Sequence, residues 1–271
     1  MGNKPHLLAG IGEKIKRAEE NIKNLNCEIR SFILANPSPY RIVREFQNDG
    51  LDYVFTGYGE LEVPPRFAVL TGEVIYLLRS SLDHLVWALV EKQGAAHTTS
   101  HQFPVCGTRE KFIEACKRRR IEGVSASAEK IIESVQPYVS PDPKNYFLTK
   151  LDEWNIVDKH RLLLVVAAAA RLGDVLRMNP GEDVTIKGMS PPYLRRVTNE
   201  GVELFRISLA AKYKFEANTD FITDIALEWE GECFALTNTL TVALEETVKL
   251  INEFAVEFCW SCPVPRPPLR P

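Results

Sequence analysis

The sequence contains no apolar run long enough to form a membrane-spanning helix. Its first residues, MGNKPHLLAGIGEK, lack the long apolar core and the cleavage site of a secretion signal. The six cysteines are scattered along the chain, and without an export signal this usage is typical of reduced thiols. These absences predict a protein that has no contact with a membrane and is located in the cytoplasm.

Strong net charge and complete catalytic or metal-binding motifs are also absent. The formal net charge of -3 at pH 7 gives no overall attraction to nucleic acid, so RNA binding requires a local basic patch. No phosphate loop of the Walker type, no nucleophile elbow and no HExxH helix occurs. His97 with His101, and Cys259 with Cys262, are incomplete ligand sets. We therefore expect no cofactor and no tightly bound transition metal.

Helical periodicity is the most prominent feature that is present. Apolar residues recur at helical spacing in four long segments, at 7–34, 66–93, 145–165 and 238–259. Strand-like alternation occurs at 40–47 and 51–58, on either side of an Asn-Asp-Gly turn, and again over 183–230. The pattern predicts an α+β fold: mainly an antiparallel helical bundle, with an N-terminal β-hairpin (40–58) and a C-terminal antiparallel β-sheet segment.

No internal repeat and no clear linker divides the chain, so we expect one domain over residues 1–262. The remaining residues, 263–271, form a Pro-rich tail. One segment is ambiguous at this stage. The pattern predicts a helix from Asn145 to Arg171, but its apolar end, LLLVVAAAA (162–170), is equally compatible with a buried strand, since periodicity alone does not separate the two.

The segment from Gly72 to Gln93, GEVIYLLRSSLDHLVWALVEKQ, predicts the central helix of the fold. Apolar side chains cover most of its circumference, as in a buried helix. Arg79, Asp83 and His84 lie in the remaining polar arc. Because burying an unpaired charge is costly, these three side chains require partners. They are therefore the first candidates for a functional site.

Two further groups of polar residues are also candidates for a functional site. Asp158, His160 and Arg161 form a second polar cluster on another core helix, which a bundle brings within reach of the first. A basic run at the end of a shorter helix comprises Lys117, Arg118, Arg119 and Arg120. The helix dipole favours such a run as a solvated helix end, and the alternative is a contact with nucleic-acid phosphates.

The sequence RSSLDH, with Arg79, four residues and then His84, resembles the HEPN superfamily of helical-bundle proteins. The segments GEVIYLLRSSLDHLVWALV, QPY and DKHRLL also resemble a group of uncharacterised bacterial proteins. Two features depart from the usual HEPN form. Ser80 follows the arginine, where HEPN motifs often carry a polar Asn, Asp or His, and the long β-rich segment lies outside the minimal bundle.

The resemblance implies a metal-independent endoribonuclease, or an RNA-binding protein, of a bacterial defence or toxin type. HEPN ribonucleases pair as homodimers, and the Arg and His of each protomer line a shared cleft. By this resemblance Arg79 would hold the phosphate, His84 would transfer a proton with Asp83 beside it, and the RNA 2′-hydroxyl would be the nucleophile. The expected partners are RNA and a second copy of the chain.

A non-catalytic binding or scaffold protein is the main alternative. In that case Arg79 and Asp83, at i and i+4, neutralise each other, and His84 is a core histidine bonded to Asp158 or to a backbone carbonyl. A third interpretation places Asp83, His84, Asp158 and His160 around a metal ion in the bundle core. The three interpretations make different demands on the accessibility of Arg79 and His84.

Overall fold

The computed structural model describes residues 8–171, 177–178, 185–190, 193–212, 217–218 and 220–257. The Pro-rich tail at 263–271, the pair Cys259 and Cys262, and the end of the helix predicted to reach 259 lie outside these residues. In the part of the chain that the structure describes, no helix has the length and apolar character needed to span a membrane.

Six helices account for most of the regular structure of the described residues. In chain order they are α1 (Ala9–Ala35), α2 (Pro65–Lys92), α3 (Arg109–Lys117), α4 (Ala126–Ser134), α5 (Phe147–Asp158) and α6 (Leu236–Glu257). The helix predicted at 66–93 is confirmed as α2, which begins at a proline suited to a helix start. Val74, Ile75 and Leu78, which lie within one arc of about 100° on α2, are fully buried, as expected for the apolar face of a core helix.

Within the described residues the strands form two four-stranded antiparallel sheets and one short pair. They are β1 (Arg41–Gln47), β2 (Asp52–Tyr58), β3 (Val165–Arg171), β4 (Arg177–Met178), β5 (Ile186–Met189), β6 (Arg195–Arg196), β7 (Val202–Leu209), β8 (Ala217–Asn218), β9 (Phe221–Trp229) and β10 (Glu232–Ala235). The first sheet has the order β1-β2-β7-β5 and the second β10-β9-β3-β6, while β4 pairs with β8. All pairings are antiparallel.

The α+β class is confirmed, since the described residues form both α-helices and antiparallel sheets. Two details of the prediction need correction. The hairpin β1–β2 does form, with Arg41 opposite Tyr58, but it is not separate from the C-terminal strands because β2 also pairs with β7. The ambiguous alanine-rich segment is the buried strand β3, paired with β9 along seven residues, so the helix predicted from Asn145 to Arg171 ends at Asp158.

The chain divides into two compact units, each built from separated parts of the sequence. Unit 1 comprises the described residues within Met1–Asn24, Val69–Leu163 and Asn238–Pro271, and unit 2 those within Leu25–Ala68 and Leu164–Thr237. Unit 1 holds α3, α4 and α5, together with the larger part of α1, α2 and α6. Unit 2 holds the strands, with a core centred on Phe55, Phe205 and Ile207. A single domain over 1–262 stays a prediction.

Candidate functional site

Arg79 is one of the few charged side chains buried in the described residues, and its guanidinium has three partners. Its Nε donates to Asp152 Oδ1 at 2.8 Å, and its Nη1 donates to Asp83 Oδ1 at 2.6 Å. Its Nη2 donates to the carbonyl oxygen of Phe103 at 2.8 Å. Only 4% of the Arg79 side chain is exposed. The two carboxylates outweigh the desolvation and raise the pKa of Arg79, so the side chain stays charged.

Asp83 connects the arginine to the loop that follows α2. Its Oδ1 accepts from Arg79 and also from the backbone nitrogen of Phe103, at 2.9 Å. Phe103 is therefore bound at both its carbonyl and its amide by side chains of α2. The i,i+4 pair expected on the non-catalytic interpretation is confirmed, and its partners Asp152 and Phe103 are additions that the sequence analysis missed.

His84 lies on a different side of α2 and is exposed. The interpretation of His84 as a buried core histidine is therefore wrong. A nearby charge is that of Lys14 on α1. The Nζ of Lys14 donates to Ser80 Oγ at 3.0 Å and lies 5.5 Å from the ring centre of Tyr76. Partial burial, followed by the charge of Lys14, lowers the pKa of His84, and Asp83 opposes the shift. This direction favours the neutral imidazole at neutral pH.

An NMR titration of the histidine ring resonances is expected to place the midpoint of His84 below its ordinary value of about 6.5. Lys14→Met should raise that midpoint, because it removes the positive charge that disfavours the imidazolium, while partial burial keeps it below the ordinary value. Lys16→Met on the same helix is the control and should leave it unchanged. A midpoint above the ordinary value would contradict the electrostatic assignment.

The second predicted cluster does not assemble around Arg79. Asp158 is the last residue of α5, and His160 and Arg161 follow the helix end and are exposed. Placing His160 and Arg161 on a core helix was wrong, because α5 ends before them. Asp158 packs against Gly72, two turns before Arg79 on α2, and burial raises the pKa of its carboxyl group.

The contact between Gly72 and Asp158 explains the glycine in the middle of a core helix. A β-carbon at position 72 would lie far inside van der Waals distance of the Asp158 carboxyl group. Gly72→Ala is therefore expected to lower the free energy of unfolding by about 1–3 kcal/mol, as overpacking does. Urea denaturation checks this, and the loss should shrink when Asp158→Ala is present.

Gly12→Ala on α1 is the matched control for that substitution. A β-carbon at position 12 meets no atom within 4 Å. Because alanine favours a helix over glycine by up to about 1 kcal/mol, this variant should be as stable as the wild type or slightly more stable. An equal loss in both variants would show that the Asp158 contact is not the cause.

The basic run at 117–120 is divided by its contacts. Arg118 pairs with Glu114 at 2.6 Å, and Arg119 pairs with Glu122, so two of the four charges are neutralised locally. Lys117 ends α3 and is exposed, whereas Arg120 is partly buried. A continuous strip of four free cations for a nucleic-acid backbone is therefore not formed.

No group of three or more His, Cys, Asp or Glu side chains is arranged to hold a metal ion within the described ranges. For the ligand set proposed from the sequence the reason is visible: Asp83 is engaged by Arg79 and Phe103, and His160 lies beyond the end of α5. Arg79 and Asp83 of α2 thus form a salt-bridged pair that binds the loop at Phe103. His84 lies on another side of the same helix and is exposed.

Comparison with known proteins adds no assignment to this geometry. No protein-family model matches the chain, and no curated protein and no solved structure matches it.

Proposed function

We propose that the chain is a non-catalytic binding or scaffold protein in which Arg79, Asp83 and Asp152 form a structural cluster. One observation carries the proposal: each nitrogen of the Arg79 guanidinium donates to a protein oxygen, and 4% of the side chain is exposed. An arginine that grips a phosphate presents its donor fork to the ligand. Arg79 presents its fork to the protein.

The charge balance around Arg79 supports the same conclusion. One guanidinium faces two carboxylates, Asp83 and Asp152, so the cluster carries a net negative charge. A phosphate approaching this position meets repulsion that the bound arginine does not offset. The position of His84 agrees, because it is exposed on another side of α2 while Arg79 is covered.

The test is a cleavage assay on single-stranded RNA in the presence of EDTA, with wild-type protein and His84→Ala. We expect no cleavage above the buffer background in either sample. The melting temperature of His84→Ala should stay within about 3 °C of the wild type, because exposed substitutions change stability by about 0.5 kcal/mol or less. EDTA-insensitive cleavage that His84→Ala abolishes would overturn the proposal.

A HEPN-like, metal-independent endoribonuclease is the second candidate, and the exposure of His84 favours it. His84 is accessible and its pKa is lowered, which favours the neutral imidazole that a general base requires. This candidate also requires a HEPN-like bundle in unit 1 and a homodimer that brings two copies of His84 to one cleft. Sedimentation velocity separates the candidates further, since the ribonuclease requires a dimer.

A further inference from the structure

A pocket of about 320 Å³ lies beside α3 in unit 1, and His84 does not line it. Four charged side chains line it, Lys111, Glu114, Arg118 and Arg120, together with the buried thiol of Cys106. Its volume is at the small end of the range for small-molecule sites, which is about 300–1,000 Å³. The pocket therefore suits one compact polar group.

Local backbone structure positions the cations of this pocket. The hydroxyl of Thr108 caps α3 by accepting from the nitrogen of Lys111, which fixes the first turn. After α3 the chain turns sharply at Arg119, whose φ of 63° is left-handed. Arg120 then returns towards the preceding loop, because its carbonyl oxygen accepts from the nitrogen of Gln102 at 3.0 Å.

The pocket has an excess of positive charge. Three cations line it against one carboxylate, Glu114, and Arg118 already pairs with that carboxylate at 2.6 Å. Among the residues that the structure describes, neither Lys111 nor Arg120 forms an ion pair. Two positive charges in one concave site thus remain outside any ion pair, although the whole chain carries -3. This local field attracts an anion.

Cys106 adds a neutral and rigid wall to the pocket. The residue is 5% exposed, and burial raises the pKa of its thiol, so it brings no negative charge at neutral pH. Its backbone nitrogen donates to Gln136 Oε1 at 2.9 Å, which holds this part of the loop in place. The wall is therefore preorganised rather than formed by a ligand.

We propose that the pocket of Lys111, Arg118 and Arg120 binds a phosphate group, either as inorganic phosphate or as the terminal phosphate of RNA. A terminal phosphate carries about -1.5 to -2 charge at neutral pH, which matches the two cations that form no ion pair. Arginine offers a donor fork for its oxygens and lysine a point charge. The inference names the ligand class for the proposed binding role and rests on it.

Isothermal titration with inorganic phosphate, at constant ionic strength, tests the proposal. We expect saturable binding by the wild type, and a rise in Kd of about tenfold or more for Arg120→Gln and for Lys111→Gln, as for loss of a charge-assisted hydrogen bond. Lys111 is exposed, so its variant tests the site without risk to folding. Lys117→Gln is the matched control, because Lys117 is on α3 but does not line the pocket, and its Kd should change less than about twofold.

No saturable binding by the wild type, or an equal loss in Lys117→Gln, would overturn the phosphate site. A 5′-phosphorylated oligoribonucleotide and its 5′-hydroxyl form identify the source of the phosphate. Tighter binding of the phosphorylated form, lost in Arg120→Gln, assigns the site to RNA ends, whereas equal binding of both forms assigns it to free phosphate. Gel analysis of the RNA afterwards tests the proposed function separately, because cleavage contradicts the non-catalytic role while phosphate titration still reports on the pocket.

Discussion

Arg79→Met is expected to lower the free energy of unfolding by about 3 kcal/mol. The substitution keeps the apolar length of the side chain and removes its charge, leaving Asp83 and Asp152 without their cation and the Phe103 carbonyl without its donor. Breaking a buried ion pair from one side costs about 3–5 kcal/mol. We expect the lower end of that range, because 31% and 26% of the two aspartate side chains are exposed and water recovers part of the loss.

Arg118→Met is the control that isolates burial as the cause. The pair of Arg118 with Glu114 has the same i,i+4 spacing and the same 2.6 Å separation as the pair of Arg79 with Asp83. Its side chains are 67% and 59% exposed, so the loss should be about 0.5 kcal/mol or less. Urea denaturation of both variants gives the comparison. Equal losses would show that the buried cluster does not stabilise the fold.

The i,i+4 pair was predictable from the sequence because helix geometry alone determines it. Residues four apart lie about 40° apart around the axis, whereas residues five apart, such as Arg79 and His84, lie about 140° apart. The second angle explains why one end of the polar arc is buried and the other exposed. The partners Asp152 and Phe103 are separated from Arg79 by 73 and 24 residues, and helical periodicity carries no information about such contacts.

Strand pairing likewise was predictable from the sequence only where the paired strands are close along the chain. The hairpin was predictable because Asn48, Asp49 and Gly50 form a turn, and all three have positive φ. Its union with β7 depends on strands about 150 residues away, for which no local signal exists. In β3 the alanines favour a helix by propensity, but pairing with β9 on one side and β6 on the other buries them as a strand. Tertiary pairing outweighs a propensity of a few tenths of a kcal/mol per residue.

The second large effect is expected at Gln136, which is 1% exposed and binds the same loop as Arg79 does. Its Nε2 donates to the carbonyl oxygens of Pro104 and Ile132, at 3.0 Å and 2.9 Å. Its Oε1 accepts from the nitrogen of Cys106 at 2.9 Å. One amide therefore joins the last turn of α4 to two positions of the loop between α2 and α3.

Gln136→Met is expected to lower the free energy of unfolding by about 3 kcal/mol. The methionine fills a similar volume but leaves one donor and two acceptors unpaired, and each such buried group costs about 1–3 kcal/mol. We expect less than the full sum because backbone oxygens near the helix end can gain water as the site relaxes. The variant should also weaken phosphate binding, since Cys106 forms a wall of the pocket that Gln136 holds in place.

Gln93→Met tests whether these losses follow from burial of the amide. Gln93 is exposed just after α2, so the same chemical change there should alter stability by about 0.5 kcal/mol or less.

Combining Arg79→Met with Gln136→Met should lower the free energy of unfolding by less than the sum of the two single losses, because the loop is already partly free once either side chain has lost its hydrogen bonds to it. Strict additivity would mean that Arg79 and Gln136 hold the loop independently, and a loss at Gln136 no larger than at Gln93 would show that its three hydrogen bonds do not stabilise the fold.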